Sequence, residues 1–298
     1  MKSHLLFPRY FRPIGFLLAI PGLVLGYLFL FERYSIPGFG PPTILNNISG
    51  RFDTYTNELA LALVILGLLF IAFSKVKRED ELTALMRLNA LYWAILANYL
   101  MIFAWSILVQ FTNMGNNDRV LDLNLIMPLI IFVLRFYYLL YKNKDEYYIP
   151  ALHFLPYRPF NKIGKGVSII CMAIFIFPVT IELSKQWDSI PSKLSDYINV
   201  SYYISPYIYL IWIYSKERKE DEYVNSIRLT AMQIAIYVNY AILLVTNFFV
   251  YGLSFFVVEV LNFSTMPLIF IIVFQYRLYQ LSKQSDEKNS SSINLNIL

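Results

Sequence analysis

Apolar residues fill eight long stretches of this chain, and shorter polar segments separate the stretches. They lie at approximately 13–31, 57–74, 84–110, 120–141, 164–183, 199–214, 225–251 and 256–280. An α-helix needs about 20 mostly apolar residues to cross a bilayer. The sixth stretch is the shortest and contains Pro206, which a spanning helix tolerates where its neighbours satisfy the freed carbonyl. The pattern therefore predicts an all-α, polytopic membrane protein with eight transmembrane helices.

The distribution of Lys and Arg predicts how these helices are oriented. If the N-terminus is cytoplasmic, 19 of the 25 Lys and Arg residues fall in cytoplasmic segments, 5 fall in outside loops, and Arg135 falls within a helix. Cytoplasmic loops of membrane proteins carry an excess of these residues. We therefore expect a protein of the cell membrane with both termini in the cytoplasm. A bacterial inner membrane is the favoured location. The N-terminus lacks a small-residue cleavage site, so the first stretch is predicted to be an uncleaved helix.

A segment of 26 residues occurs twice, at 74–99 and at 215–240. The copies align without a gap at an offset of 141 (215 − 74), and 12 of the 26 aligned positions are identical. Shorter matches lie outside this segment: Ile14-Gly15 corresponds to Ile163-Gly164, and Met-Pro128 to Met-Pro267. The chain thus reads as an internal repeat.

The repeat predicts the domain organisation. Residues 1–150 and 151–281 would be two four-helix transmembrane units, which makes the chain a pseudo-dimer. Because four is even, both units enter from the same side, and a pseudo-twofold axis along the membrane normal should relate them. Residues 282–298 are rich in Ser, Asn and Lys, and they are predicted to form a disordered cytoplasmic tail.

The composition narrows the function classes. Hydrophobic residues make up 57% and charged residues 15% of the chain, whereas soluble domains carry about 25% charge. We therefore read the net charge of +5 as a determinant of membrane orientation, not as a nucleic-acid surface. Cys171 is the single cysteine, and His4 and His153 are the two histidines. No metal site and no cofactor are predicted from so few soft ligands.

An acidic triplet lies between two predicted helices in each copy of the repeat. The triplets are Glu79-Asp80-Glu81 and Glu220-Asp221-Glu222. One interpretation is structural, since carboxylates in the first turn of a helix are stabilised by its free N–H groups and its dipole. The functional interpretation is a docking surface for a soluble cytoplasmic protein. A third is a paired-carboxylate ion or catalytic site, where the two triplets would meet.

The helix behind each triplet carries a stripe of small and polar residues on one face. The stripes are Arg87, Ala90, Ala94 and Asn98 in the first copy, and Arg228, Ala231, Ala235 and Asn239 in the second. Spacings of 3, 4 and 4 residues place each set on one helical face. Small residues let helix backbones approach closely, and a buried Asn can bond across helices. The stripe therefore predicts helix packing, most simply of the two stripes against each other, and the alternative is a polar path for a solute between the repeats.

The pattern Ser-Lys-x-(Lys/Arg)-(Lys/Arg)-Glu-Asp-Glu, followed by Arg-Leu-x-Ala and Asn-Tyr, occurs in both copies. In this pattern each unit resembles a small bacterial four-helix integral membrane protein family of no assigned activity, so the chain resembles a tandem duplication of it. Other small bacterial membrane proteins with an acidic turn at this place accompany soluble regulators. The resemblance implies a non-enzymatic scaffold or regulator that binds a cytoplasmic partner. A transporter or channel is the alternative hypothesis, and an enzyme acting on lipid is the third.

Overall fold

We describe the chain from a computed structural model, which covers residues 5–39, 55–77, 79–112, 118–143, 150–184, 192–218, 220–250 and 253–295. In this part of the chain the backbone forms eight α-helices, and extended pairing is limited to isolated bridges. The helices are α1 Phe11–Glu32, α2 Thr56–Phe73, α3 Glu81–Thr112, α4 Asp118–Lys142, α5 Lys162–Ser184, α6 Ser192–Ile213, α7 Glu222–Phe249 and α8 Leu253–Leu295. A short π-helical turn, Tyr157–Asn161, precedes α5.

The all-α prediction is confirmed, and each predicted apolar stretch coincides with one helix. Among the described residues, six helices are long and apolar enough to cross a membrane: α1, α2, α3, α4, α7 and α8. Large apolar side chains point outward from them, as Leu17 and Phe111 do with 74% and 83% of their surface exposed. This is the surface expected of helices that face lipid. The membrane crossing of α5 and α6 stays a prediction.

Two helices extend beyond their apolar stretches. Helix α6 begins at Ser192 instead of 199, and α8 continues to Leu295. The structure therefore differs from the predicted disordered tail over most of 282–298, and 296–298 lie outside the described residues. An apolar window marks what the bilayer core requires, not where hydrogen bonding ends. Once a helix is nucleated, each further residue adds one hydrogen bond at little cost.

The described contacts divide the chain into two compact units. Unit 1 comprises Met1–Leu152 and Tyr240–Glu259, and unit 2 comprises His153–Asn239 and Val260–Leu298. The first boundary lies close to the predicted boundary at 150. The segment 240–259, which contains the end of α7, belongs to unit 1 by its contacts.

In unit 1, helices α1 and α2 pack with their backbones in close approach. A Cβ atom added to Gly15 would lie 2.7 Å from the carbonyl oxygen of Gly67 and 2.9 Å from the backbone nitrogen of Ile71. Only glycine fits at such a distance. Two side chains of α7 also bond within this unit: the Tyr240 hydroxyl donates to the Leu125 carbonyl at 2.9 Å, and Asn247 Nδ2 donates to the Glu58 carbonyl at 3.0 Å.

In unit 2, α5 and α6 approach each other in a similar way. A Cβ atom on Gly164 would lie 3.0 Å from the backbone nitrogen of Trp212. Gly164 and Trp212 are the positions that correspond to Gly15 and Ile71 in the repeat. The glycine that both halves of the sequence place here therefore has a packing reason in each unit.

Candidate functional site

The two charged segments form tight turns, each between the end of one helix and the start of the next. Asp80 caps α3, because its Oδ1 accepts the Thr83 backbone N–H at 2.8 Å and the Thr83 hydroxyl at 2.7 Å. Asp221 caps α7 in the same way and accepts the Val224 backbone N–H at 2.8 Å. A capping carboxylate satisfies one of the free N–H groups of a helix start and favours its dipole. The cap predicted from the acidic triplet is thus present in both turns.

The first glutamate of each triplet folds back on its own turn. Glu79 Oε2 accepts the backbone N–H of Val76 at 3.0 Å, and Glu220 Oε2 accepts that of Glu217 at 2.8 Å. Each glutamate also pairs with the arginine of the helical stripe: Glu79 Oε1 lies 3.0 Å from Arg87 Nε, and Glu220 Oε1 lies 3.1 Å from Arg228 Nη2. These carboxylates therefore hold the turn together.

Arg87 inserts its guanidinium beneath the end of α2. The residue is 1% exposed, and it donates from Nη1 to the Ala72 carbonyl at 2.8 Å and from Nη2 to the Ser74 carbonyl at 2.9 Å. The last carbonyls of a helix have no partners within the helix. The helix dipole is negative at this end, which favours a cation there. The buried charge is thus neutralised by Glu79 and by the helix end together.

The other carbonyls at the end of α2 also have donors. Phe7 donates its backbone N–H to the Phe73 carbonyl at 2.9 Å and accepts that of Lys75 at 2.9 Å. The Ser74 hydroxyl donates to the Phe70 carbonyl, and the Tyr137 hydroxyl donates to the Ile71 carbonyl at 3.3 Å. Every carbonyl from 70 to 74 is therefore bonded, which lets the helix end in a buried place.

Arg228 occupies the same place at the end of α6. It is fully buried and donates from Nη1 to the Ile213 carbonyl at 2.7 Å and from Nη2 to the Ser215 carbonyl at 3.4 Å. Leu155 makes the same two backbone bonds as Phe7. Its N–H donates to the Tyr214 carbonyl at 2.8 Å, and its carbonyl accepts the Lys216 N–H at 2.9 Å. The two turns thus have the same framework of bonds.

Aromatic rings cover both guanidinium groups. Arg87 lies over the ring of Phe136, 4.3 Å from its centroid. Arg228 lies against Phe154 at 4.4 Å and Phe274 at 4.8 Å. A desolvated guanidinium gains energy from the face of an aromatic ring.

The remaining members of the two stripes are buried. Ala90, Ala94, Ala231 and Ala235 are at most 1% exposed. Asn98 Nδ2 donates to Asn124 Oδ1 at 2.7 Å, and Asn239 Nδ2 donates to Asn262 Oδ1 at 3.3 Å. Thr265 adds a hydroxyl bond to Asn239 Oδ1 at 2.5 Å. Each asparagine therefore bonds to the following helix of its own unit, and the packing of the two stripes against each other stays a prediction.

Both acidic and basic side chains are exposed on the surface of each turn. Asp80 and Glu81 are exposed in the first turn, and Asp221 and Glu222 in the second. The exposed basic residues of the described turns are Lys75, Lys77, Lys216 and Arg218. Arg78 and Lys219 lie outside the described residues. Each turn thus presents a mixed acidic and basic surface on a rigid framework.

Sequence reasoning missed the extended residues that pair with the turns. Phe7 and Leu155 each precede a proline, and a residue before proline is biased toward an extended conformation. That bias was the available signal. Arg135 is the basic residue that the charge distribution places within a helix. In the structure Arg135 is half-buried, with Nε donating to Asn89 Oδ1 at 3.0 Å and its guanidinium 5.2 Å from the Trp93 ring centroid.

Within the described part of the chain, no group of three or more His, Cys, Asp or Glu side chains is placed to hold a metal ion. Comparison with protein-family models, with curated proteins and with solved structures gave no match. The function therefore has to be argued from the geometry of the two turns.

Proposed function

We propose that the chain is a non-enzymatic integral membrane protein whose two charged turns bind a soluble cytoplasmic protein. The observation that carries the proposal is that some acidic residues are bonded inside the turns and others are exposed. Glu79 and Glu220 are used inside the turns, whereas Glu81 and Glu222 are exposed at the start of the following helices. A polar surface on a rigid frame can bind a partner without loss of loop entropy.

The same proposal includes two parallel four-helix repeats with eight transmembrane helices. The matching bonds of Arg87 and Arg228 support it, since two unrelated turns would not share acceptors at corresponding positions. The excess of Lys and Arg on one side supports a cytoplasmic location for both turns and both termini. A bacterial inner membrane is the location that the proposal assigns.

The alternative function, a polar path between the repeats, is less favoured. Its polar residues are Arg87, Asn98, Arg228 and Asn239, and each is buried with partners on neighbouring segments of its own unit. A path for a solute needs polar groups that can exchange their partners with it. Polar groups that are bonded within their own unit favour helix packing.

The test reverses only the exposed acids, in the variant Glu81→Lys/Glu222→Lys. The protein is cross-linked in its native membranes, purified and compared with wild type for bound soluble proteins by quantitative mass spectrometry. We expect one soluble protein to be enriched with wild type and lost with the variant. The free energy of unfolding should fall by no more than about 1 kcal/mol per helix, because neither side chain holds the turn and only a favourable charge at the helix start is reversed.

A matched control places the same charge change elsewhere. Glu32, at the end of α1, is also an exposed glutamate, but the predicted topology puts it on the other side of the membrane. Glu32→Lys should retain the partner. Retention of every partner by Glu81→Lys/Glu222→Lys, with folding intact, would disprove the proposal.

A further inference from the structure

Glu58 is a buried carboxyl group in the first turn of α2, the most buried of the six candidate spans. The residue is 9% exposed. Its Oε2 atom is buried and has no hydrogen-bond partner among the described residues. The two ion pairs in this part of the chain are those of Arg87 and Arg228, so no described cation neutralises Glu58.

Hydrogen bonds hold the backbone around Glu58 in place, and none of them reaches the Oε2 atom of its carboxyl group. Asn247, which is 3% exposed, donates to the main-chain carbonyl of Glu58 at 3.0 Å. Two residues earlier, the buried Thr56 hydroxyl accepts the backbone N–H of Ile36 at 2.9 Å. The carboxyl group is therefore kept at one place by bonds that leave Oε2 without a donor.

No charged side chain on the helices that pack on α2 forms a described ion pair with Glu58, although Glu32 and Arg33 lie at the same end of the α1–α2 pair. On α1, Glu32 is exposed at the end of the helix, followed by the exposed Arg33. On α4, Arg135 and Lys142 lie toward the end where Tyr137 bonds Ile71, which is the opposite end of α2. The side chains of 118–123 fall outside the description. From α7, the group that reaches Glu58 is the neutral amide of Asn247.

Two opposing effects act on such a carboxyl group. Burial without a cation favours the neutral, protonated form. The free N–H groups and dipole of a helix start favour the ionised form. We propose that Glu58 is a proton-binding site within the bilayer part of unit 1, which takes up and releases a proton without a paired cation. Membrane-embedded ionisable residues commonly serve this purpose. The inference is independent of the function proposed for the charged turns.

The test uses the full chain in lipid nanodiscs with dicyclohexylcarbodiimide, a hydrophobic reagent for protonated carboxyl groups in membranes. The carboxyl proton moves to a carbodiimide nitrogen while the carboxylate oxygen bonds to the central carbon, so the addition needs no other reactant. We expect one adduct, which peptide mapping places on Glu58 and which decreases from mildly acidic to mildly alkaline pH. Glu58→Gln should remove the adduct, and the exposed Glu32→Gln should leave it unchanged.

A second measurement does not depend on a variant that folds. Infrared difference spectroscopy of the wild-type protein should show that the carbonyl band of a protonated carboxylic acid is lost when the pH is raised from mildly acidic to mildly alkaline. Absence of the band and of any adduct on Glu58 at acidic pH would overturn the proposal. So would an adduct on Glu58 of equal yield at both pH values.

Discussion

The two charged turns share one framework but differ in what surrounds it. Arg87 and Arg228 each bind two carbonyls at the end of the preceding helix and the glutamate eight residues before them. Arg87 binds its glutamate through Nε at 3.0 Å and Nη2 at 3.4 Å, whereas Arg228 uses Nη2 alone, and Arg228 Nε has no partner among the described residues. A second aromatic ring, Phe154, lies against Arg228. The cap is thus kept, and the way the cation is stabilised varies.

Three corresponding positions differ together beside this framework. In unit 1, the Arg12 guanidinium lies 5.1 Å from the ring centroid of Tyr137. In unit 2, Asn161 stands in the place of Arg12, and Gln275 follows Phe274 as Tyr137 follows Phe136, the two rings that lie over the arginines. Asn161 and Gln275 both bond to Glu217, which stands where unit 1 has Val76. A cation over a ring has therefore been replaced by a cluster of amides and a carboxylate. Positions that keep their bonds build the turn, and positions that change together give each turn its own surface.

The largest expected effect comes from removing the arginines. Arg87→Met and Arg228→Met should each lower the free energy of unfolding by about 3–5 kcal/mol, because a buried pair is broken and helix carbonyls lose their donors. Arg87→Met should cost more, since Arg228 already has an unsatisfied Nε. Equilibrium unfolding in mixed micelles measures both. If Arg228→Met proves the more costly, the comparison of the two bonding patterns is wrong.

Substitution of the paired glutamates should have a smaller effect, and the first turn should again lose more stability than the second. Glu79→Gln is expected to cost about 1.5–3 kcal/mol, since hydrogen bonds to a charged group are lost or weakened. Glu220→Gln should cost less, because Arg228 binds both oxygens of Glu220 through a single nitrogen, Nη2. The same unfolding titration applies, with the exposed Glu81→Gln as the control, which should cost less than about 1 kcal/mol because it removes only a favourable charge at the helix start. Equal losses at 79 and 220 would contradict the expected difference.

The two caps differ by one hydroxyl, which gives a matched pair. Asp80→Ala removes bonds to both the N–H and the hydroxyl of Thr83, and it should cost about 2 kcal/mol. Asp221→Ala removes one bond to Val224 and should cost about 1 kcal/mol. The variant Thr83→Val should make the two aspartate substitutions equally costly. A persistent difference in that background would show that the hydroxyl is not the cause.

The smallest effects are expected where the two surroundings differ. Asn161→Leu removes bonds of 3.0 Å to the Ser215 hydroxyl and 3.1 Å to the Lys216 carbonyl, at a cost of about 1 kcal/mol. Arg12→Leu at the corresponding position removes one cation–π contact, at a cost of about 0.5 kcal/mol. Thermal unfolding of the two variants side by side can rank them. The reverse ranking would mean that Arg12 has a larger part in the first turn than its ring contact indicates.

The helices could be predicted from the sequence because each apolar stretch had to be long enough for a bilayer. Their ends were less accessible, since α6 and α8 continue into polar residues that no apolar window includes. The internal repeat is sufficient to identify Arg87 and Arg228 as equivalent residues. It could not identify their acceptors, because every residue has a backbone carbonyl and the sequence does not show which carbonyls are bonded.

Two other features lay beyond the sequence for physical reasons. The pairing of Phe7 with Ser74 joins residues that are far apart in the chain, and the proline signal beside Phe7 indicates conformation without naming a partner. The burial of Glu58 could not be predicted from the sequence, because it arises from packing that includes Asn247, 189 residues away. Local patterns find caps and helices, whereas burial is a property of the packed chain.

The polar acceptors of Arg87 lie between Ala72 and Glu79, upstream of the arginine itself. A ribosome therefore releases every acceptor before it releases the cation. As the nascent chain leaves the translocon, the guanidinium can be neutralised at once, and α2 and α3 can enter lipid together as a hairpin instead of one after the other. The acceptors of Arg228 likewise precede it in the chain. Cross-linking of nascent chains between α2 and α3 should accordingly find that Arg87→Met slows the association of these two helices.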